Sequence, residues 1–545
     1  MNKLKYILLL VILPLFFSCN DDFMDRYPET AITEGTFWNS EQDLKTYNNQ
    51  LYAAYFADKG FGTGATMVTN ENWSDNSFAD VPSDARLGTN TANSPGRSDW
   101  DYSLIRNVNV FLANYQHTTI AEALQNKYAA EARLFRALNY YDKLKLYGKL
   151  PLIDRVLGEK DELLYATQSS RDVIMDFIMA DLEFAVTWLP TTAETGRFTK
   201  YIAEAYKARI CLHEGTFRKY HGLANSQTYI EAAAVAANVV IASNLYAIDV
   251  TTSYYSLFEM VNYNSNKEIV FFKNYDAALQ MYNNLPTISG PFGSPVSGTK
   301  SLVNDYLCTD GLPITESPLY QGDDNITNEF ANRDKRLSNT FGLPNTYFMG
   351  NQIYINSSPK PIGDSASPSG YQLVKFYNAV EDKTAAWAQA YHDAPLIRYA
   401  EILLTYAEAK KELGTLTQSD LDICINPLRE KAGVADMQLA GATLAEIRRE
   451  RRVELAFEGL RYDDLMRWKM GSLLAQPVIG LKFNATDIAD YSSFVVGTNV
   501  YLDANGYIKS NNTYSFDESK NYYFPVPVNE LSLNENLDQT DGWEE

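Results

Sequence analysis

Histidine and cysteine are scarce: the chain holds four of each in 545 residues. His117, His213, His221 and His392 form no H-E-x-x-H pair, and Cys19, Cys211, Cys308 and Cys424 form no C-x-x-C pair, so neither a zinc site nor a thioredoxin-type site is supported. No G-x-S-x-G elbow and no P-loop occurs. "GFGTGA" at Gly60 lacks the G-x-G-x-x-G spacing and follows a helical pattern rather than a strand, which removes the dinucleotide reading. Positive charge is short as well. Lys and Arg number 47 against 68 Asp and Glu, a net −21 that opposes binding to nucleic acid or to an anionic membrane. The apolar run at residues 7–17 has 11 residues, too few to span a bilayer as a helix, which takes ~20.

What is present is apolar and aromatic. A 46% hydrophobic content supports a packed interior, and the length exceeds what one core usually fills, so two lobes or an extended repeat array is expected. Aromatics reach 13%, with 38 tyrosines. Tyrosine of this abundance serves either packed helices or a surface that stacks on flat ligands.

The first residues read as an address. Lys3 and Lys5 precede the apolar run, and "FFSC" ends it at Cys19, followed by Asn20, Asp21 and Asp22. This resembles the lipobox of bacterial lipoproteins, with cleavage before Cys19 and acylation of its thiol, although Phe17 is bulkier than usual there. Cys211, Cys308 and Cys424 read as small core residues.

Beyond the tether the pattern turns helical. "SEQDLKTYNNQLYAAYFA" offers Ser40 as N-cap with Asp43 three residues on, and Leu44, Tyr47, Leu51 and Tyr55 on one face. A Gly/Asn/Ser/Asp-rich loop is expected over residues 59–98. Helices follow in "DYSLIRNVNVFLANYQ", in the long "IAEALQNKYAAEARLFRALNYYDKLKLYG", and near 169–189, 200–220, 226–242 and 253–261, with short joints that imply antiparallel neighbours. Small–large alternations such as "AEARLFRALNYY" and "AEAYKARICLHEG" resemble tetratricopeptide helices but keep no clean 34-residue period, so the stretch is repeat-like only. Residues 269–393 are rich in Gly, Pro, Asn, Ser and Asp and read as long loops with short strands. Helices resume in "DAPLIRYAEILLTYAEAKKELG", with Asp393 as cap and Pro395 in the first turn, then near 419–432 and 444–470. Asn505-Gly506 marks a hairpin.

"EIRRERRVELAFEGLRYDDLMRWK" is the most charged stretch. Its acids and bases interleave at i, i+3 as Glu446–Arg449, Arg451–Glu454 and Glu458–Arg461, so a structural helix with mutual ion pairs is expected rather than a nucleic-acid helix, with Trp468 in the core. Trp38 and Trp100 flank helices and also read as core.

Several ordered blocks together resemble one family. "CNDDFMDRYP" with "TFW" at Thr36–Trp38, then "NDYLCTDGLPI", "NRDKRLSNTF", "APLIRYAEILLTYAEAKKELG", "RRERRVELAFEGLRYDDLMRW" and "YYFPVPVNELSLNENLDQTDGW" are similar to the SusD/RagB outer-membrane lipoproteins of Bacteroidetes. Lys335 stands where that family commonly has proline. The resemblance implies a mainly α fold, a tetratricopeptide-like helical scaffold with a loop-rich lobe and few short strands. It implies a signal peptide over 1–18, a lipidated tether over 19–39, a SusD-like N-terminal helical region over 40–268 and a RagB/SusD C-terminal region over 269–545, with 269–393 facing the ligand. It implies surface exposure on the outer membrane, a SusC-like TonB-dependent transporter as partner, and non-catalytic capture of glycan. Structural calcium is known in the family, but no ligand motif for it is evident. An α-helical glycoside hydrolase and a peptide-binding or scaffold lipoprotein are the alternatives.

Family members bind sugar through aromatic side chains and polar groups on long loops. The loop aromatics beside amides or charges are therefore the candidate ligand contacts. They are Trp73 with Asn72, Asp75 and Asn76, and then Tyr282, Phe292, Tyr320, Tyr347 and Trp387. For each of the rings, packing beneath its loop is the competing reading.

Overall fold

The computed structural model describes residues 37–61, 66–79, 81–285, 288, 296–343, 348–349, 352–353, 367–377, 389–483, 496–498 and 500–544. Cys19 lies outside them.

The helical body begins as the pattern predicts. Helix α1 spans Glu41–Phe56, and Ser40 and Asp43 close a capping box that satisfies the first free amides. Its far end is capped from another part of the chain: Lys273 Nζ donates to the carbonyls of Phe56 (2.6 Å) and Ala57 (3.1 Å), which also suits the negative end of the helix. Then come α2 (Ser103–Asn114), α3 (Glu122–Tyr147), α4 (Arg171–Trp188), α5 (Lys200–His221) and α6 (Ser226–Ala242). Successive pairs α3/α4, α4/α5 and α5/α6 pack against each other, which gives a tetratricopeptide-like array. The α5/α6 approach depends on Gly215. A Cβ there would sit 2.6 Å from Ile230 Cγ1 and 2.8 Å from the Ile230 amide nitrogen. The expected helix near 253–261 shortens to Tyr254–Phe258.

The loop-rich stretch carries short pieces. Among them, together with an earlier strand β1 (Ser77–Ala79), are the strands β2 (Ile269–Lys273) and β3 (Val296–Gly298), and the short helices α7 (Lys300–Asp305) and α8 (Lys335–Thr340). Strand β1 pairs antiparallel with β3, Ser77 opposite Gly298.

Three expectations are corrected. Asp393 is not a helix cap, because Ala394–Arg398 forms strand β4, antiparallel to β2, and the helix α9 starts at Tyr399 and ends at Glu412. The residue before Pro395 is biased to extended backbone, and pairing with β2 carries that conformation to Arg398. Asp393 instead accepts from the backbone amides of Tyr263 (3.0 Å) and Tyr275 (3.1 Å). The stretch 419–432 is two helices, Gln418–Cys424 and Asn426–Ala432, the second with proline in its first turn. The charged stretch is also two, α10 (Leu444–Glu454) and α11 (Arg461–Arg467), separated where Phe457 and Gly459 take positive φ.

Two more strands, β5 (Ile479–Lys482) and β6 (Tyr507–Lys509), pair near the C-terminus, and the Asn505-Gly506 turn leads into β6. The chain then returns over the helical body, with Phe524 N donating to the Leu146 carbonyl (2.7 Å). One apolar core joins α1–α6 with α9 and the returning residues Tyr522, Phe524 and Val526. A second gathers Phe61, Phe78, Tyr254, Val303, Phe341, Tyr371, Phe457 and Ile508. Both cores draw residues from before and after residue 269. Trp38, Trp468, Cys211, Cys308 and Cys424 are buried, while Trp100 is half-buried edge-on to Tyr147.

Candidate functional site

Residues 70–79 form a 3-10 turn and the strand β1, and this local shape decides the fate of the Trp73 group. Asp75 faces inward and takes Arg461 on both oxygens (2.8 and 3.0 Å), with Arg452 at 3.0 Å. Burial works to raise the Asp75 pKa, but Arg452 and Arg461 outweigh it and hold the carboxyl well below the usual range. Asn76 is buried, accepts from Arg452 Nε (2.8 Å) and donates to Glu71 (3.2 Å). Asn72 Oδ1 accepts from Ser77 Oγ (2.9 Å). Trp73 is half-buried, edge-on to Tyr462 (6.0 Å) and Phe524 (5.8 Å), with the Arg97 guanidinium 5.9 Å from its ring. The polar neighbours read from sequence as sugar contacts are thus held by protein groups, and the turn joins the loop-rich lobe to α10 and α11.

The i, i+3 pairing expected for the charged stretch is corrected in the same way. Glu446–Arg449 forms at 3.1 Å. Arg451 instead reaches Asp464 (2.8 Å), Glu454 holds Arg336 (2.9 Å) and Arg398 (2.8 Å), and Glu458 holds Arg398 (2.7 Å) and Lys375 (2.8 Å). The side chains of Glu454, Glu458, Arg336 and Arg398 are buried, where an arginine fork satisfies carboxylates more fully than a neighbour on one helix would.

Of the remaining candidates, Phe292, Tyr347 and Trp387 lie outside the described residues. Tyr282 is half-exposed beside a tight turn whose tip presents Leu279, and its hydroxyl donates to the Ala277 carbonyl (3.2 Å). Tyr320 is half-exposed, with the Arg333 guanidinium 5.5 Å from its ring.

Near Tyr320 the lobe assembles groups that sequence reading passed over. Half-exposed Tyr507, on β6, donates to Asp323 (2.7 Å). Lys300 on α7 bridges Asp323 (2.7 Å) and the buried Glu329. Lys482 on β5 meets exposed Asp324 (2.6 Å) and lies 6.0 Å from the Tyr507 ring. Burial and then the Asp323 carboxylate push the Tyr507 phenol upward, and burial also raises Tyr320, so both rings stay neutral. The face therefore offers two phenol rings for stacking, with carboxylates and ammonium groups beside them for hydroxyls. The local signal in the sequence is the Asn505-Gly506 turn, which marks where the strand carrying Tyr507 begins but not the face that ring takes.

Groups suited to covalent chemistry are set elsewhere. Burial pushes the Cys211 thiol up to about 12, and burial with neighbouring cations keeps His213 neutral beside the Tyr141 hydroxyl (2.6 Å). Among the described residues no cluster of three or more His, Cys, Asp or Glu side chains could hold a metal ion, so a calcium donor set of that kind is not found there. No helix among them is long and apolar enough to cross a membrane.

Two family profiles together cover most of the chain. The profile described as "SusD family" matches residues 247–543, and "Starch-binding associating with outer membrane" matches residues 22–212. A SusD-like protein of Bacteroides ovatus is 25% identical over 86% of this chain and 82% of its own. The starch-binding protein SusD of Bacteroides thetaiotaomicron is 24% identical over 82% of this chain and 79% of its own. The crystal structure of a SusD-like carbohydrate-binding protein from Bacteroides fragilis superposes with a TM-score of 0.77 at 26% identity, covering 92% of this chain and all of that one. With the first profile alone matching more than half of its length, the chain belongs to the SusD family.

Proposed function

We propose that the protein is a non-catalytic glycan-binding lipoprotein of the cell surface. It is anchored to the outer membrane through Cys19 and captures oligo- or polysaccharide for import by a SusC-like TonB-dependent transporter. The observation that carries this reading is the likeness of nearly the whole chain to a solved SusD-like carbohydrate-binding protein. The half-exposed rings of Tyr320 and Tyr507, set among carboxylates and lysines, supply a binding face of the needed chemistry. Trp73, beside Tyr462 and Arg97, and Tyr282 are partly exposed as well and are further candidate contacts.

Affinity electrophoresis across a polysaccharide panel tests the reading. Retardation by at least one polysaccharide, with no sugar released on incubation, is the expected result. Release of oligosaccharide would replace it with the hydrolase alternative, and indifference to every polysaccharide would favour a peptide-binding or scaffold role.

A further inference from the structure

A cavity of about 720 Å³ opens in the helical body, away from the tyrosine face. Helices α1, α3 and α5 form one side, and residues 97–107 and 458–464 the other. A chain of alternating charge runs through its lining. Lys59 Nζ lies 3.1 Å from Asp142, Lys145 Nζ lies 3.6 Å from Asp142 on its other side and 2.6 Å from Asp463. Tyr55 Oη donates to Asp142 at 3.0 Å. The heads are not sealed off: the Lys59 side chain is 43% exposed and that of Asp463 28%. Each ammonium has three protons and each carboxylate four lone-pair sites, so the chain leaves donors and acceptors over. The half-buried Asn107 lines the same space, and its side-chain amide makes no hydrogen bond among the described residues.

We propose that this cleft is a second saccharide site, distinct from the tyrosine face, that takes a short neutral sugar of about disaccharide size. The proposal rests on the glycan-binding reading above. The volume lies within the range of small-ligand pockets, roughly 300–1,000 Å³. The two ammonium groups and two carboxylates of the chain cancel. A hydroxyl, which both donates and accepts, can bridge neighbouring members, whereas a free anion would meet a lining in which seven carboxylates face six lysine and arginine cations, Arg97 among them. Leu104 and Leu460 in the walls, with Tyr55, provide apolar surface for the C–H face of a sugar ring.

Isothermal titration of the full chain in detergent tests this. The probes are maltose, cellobiose, lactose and laminaribiose, with digalacturonic acid as the charged comparison. At least one neutral disaccharide is expected to bind, more tightly than digalacturonic acid. Asn107→Leu is expected to weaken that binding at least tenfold, and Lys59→Met provides the same reading from a more exposed side chain should the first variant fold poorly. Exposed Arg106→Ala on the same helix is the control. Disaccharide binding that survives both cleft variants and is lost in Tyr507→Ala would overturn the site. Polysaccharide retardation with no disaccharide binding would overturn it too and leave the glycan reading standing, whereas loss of both would remove the two together.

Discussion

Arg467 and Glu408 meet in two parallel hydrogen bonds of 2.6 and 2.7 Å, with the arginine side chain 2% exposed and the glutamate fully buried. The Trp468 indole N–H donates to the same carboxylate at 2.7 Å, and Asp464 takes Arg467 Nε at 2.8 Å. This joint ties α11 to α9 and, through Arg467 Nη1 donating to the Thr216 hydroxyl (3.0 Å), to α5.

Glu408→Ala leaves a buried guanidinium short of its partner. A loss of about 3–5 kcal/mol in unfolding free energy is expected by urea denaturation. The pair replacement Glu408→Leu with Arg467→Met should recover most of it, because no buried charge then remains unpaired.

Glu71 supplies a pH dependence. It is buried, and burial raises its carboxyl to about 7 despite hydrogen bonds from Ser74 Oγ, the Gly459 amide and Asn76, with the Asp75 charge adding to the rise. A folded pKa above the unfolded one means the folded state holds the proton more tightly. The corresponding stability is fully present below pH 4.5 and is lost as pH rises through about 7, about 3 kcal/mol in all. Glu71→Gln should flatten this slope between pH 5 and 8, measured by thermal unfolding; an unchanged slope would assign it to another group.

Gly215→Ala tests the closest helix contact. Alanine gains about 1 kcal/mol of helix propensity, but its Cβ would press on the Ile230 backbone, and overpacking costs about 1–3 kcal/mol. A net fall in melting temperature is expected, larger for Gly215→Val.

Tyr507→Ala and Tyr320→Ala should each weaken polysaccharide retardation about fivefold, the effect of about 1 kcal/mol of stacking. Their melting temperatures should move little, since both rings are half-exposed.

Cys19→Ala should release the protein from the membrane fraction, read by immunoblot of fractionated cells. Retention of the unlipidated variant would remove the anchor reading.

How much was legible from residues follows the range of the forces. Ser40 caps α1, its side chain accepting from the Asp43 amide three residues on. A local contact of this kind is visible as a local pattern. The charged stretch was legible only as charge: Glu454 and Glu458 find Arg336 and Arg398, far away in the chain, and no periodicity encodes that meeting. Asp393 misled for a related reason, since pairing of Ala394–Arg398 with β2 overrode a plausible cap.

The sequence by itself determined the helical class, the Ser40 cap, the buried thiols and the absence of familiar catalytic motifs, because these rest on periodicity, local hydrogen bonds and composition. Only the tertiary structure decided which polar groups are spent. Asp75 and Asn76 look like ligand contacts beside a tryptophan, yet Arg452 and Arg461 reach them across the fold. Tyr507 and the cleft at Asp142 gain their exposure from the same folding, which assigns each polar side chain either to a partner within the protein or to the solvent from which a ligand comes.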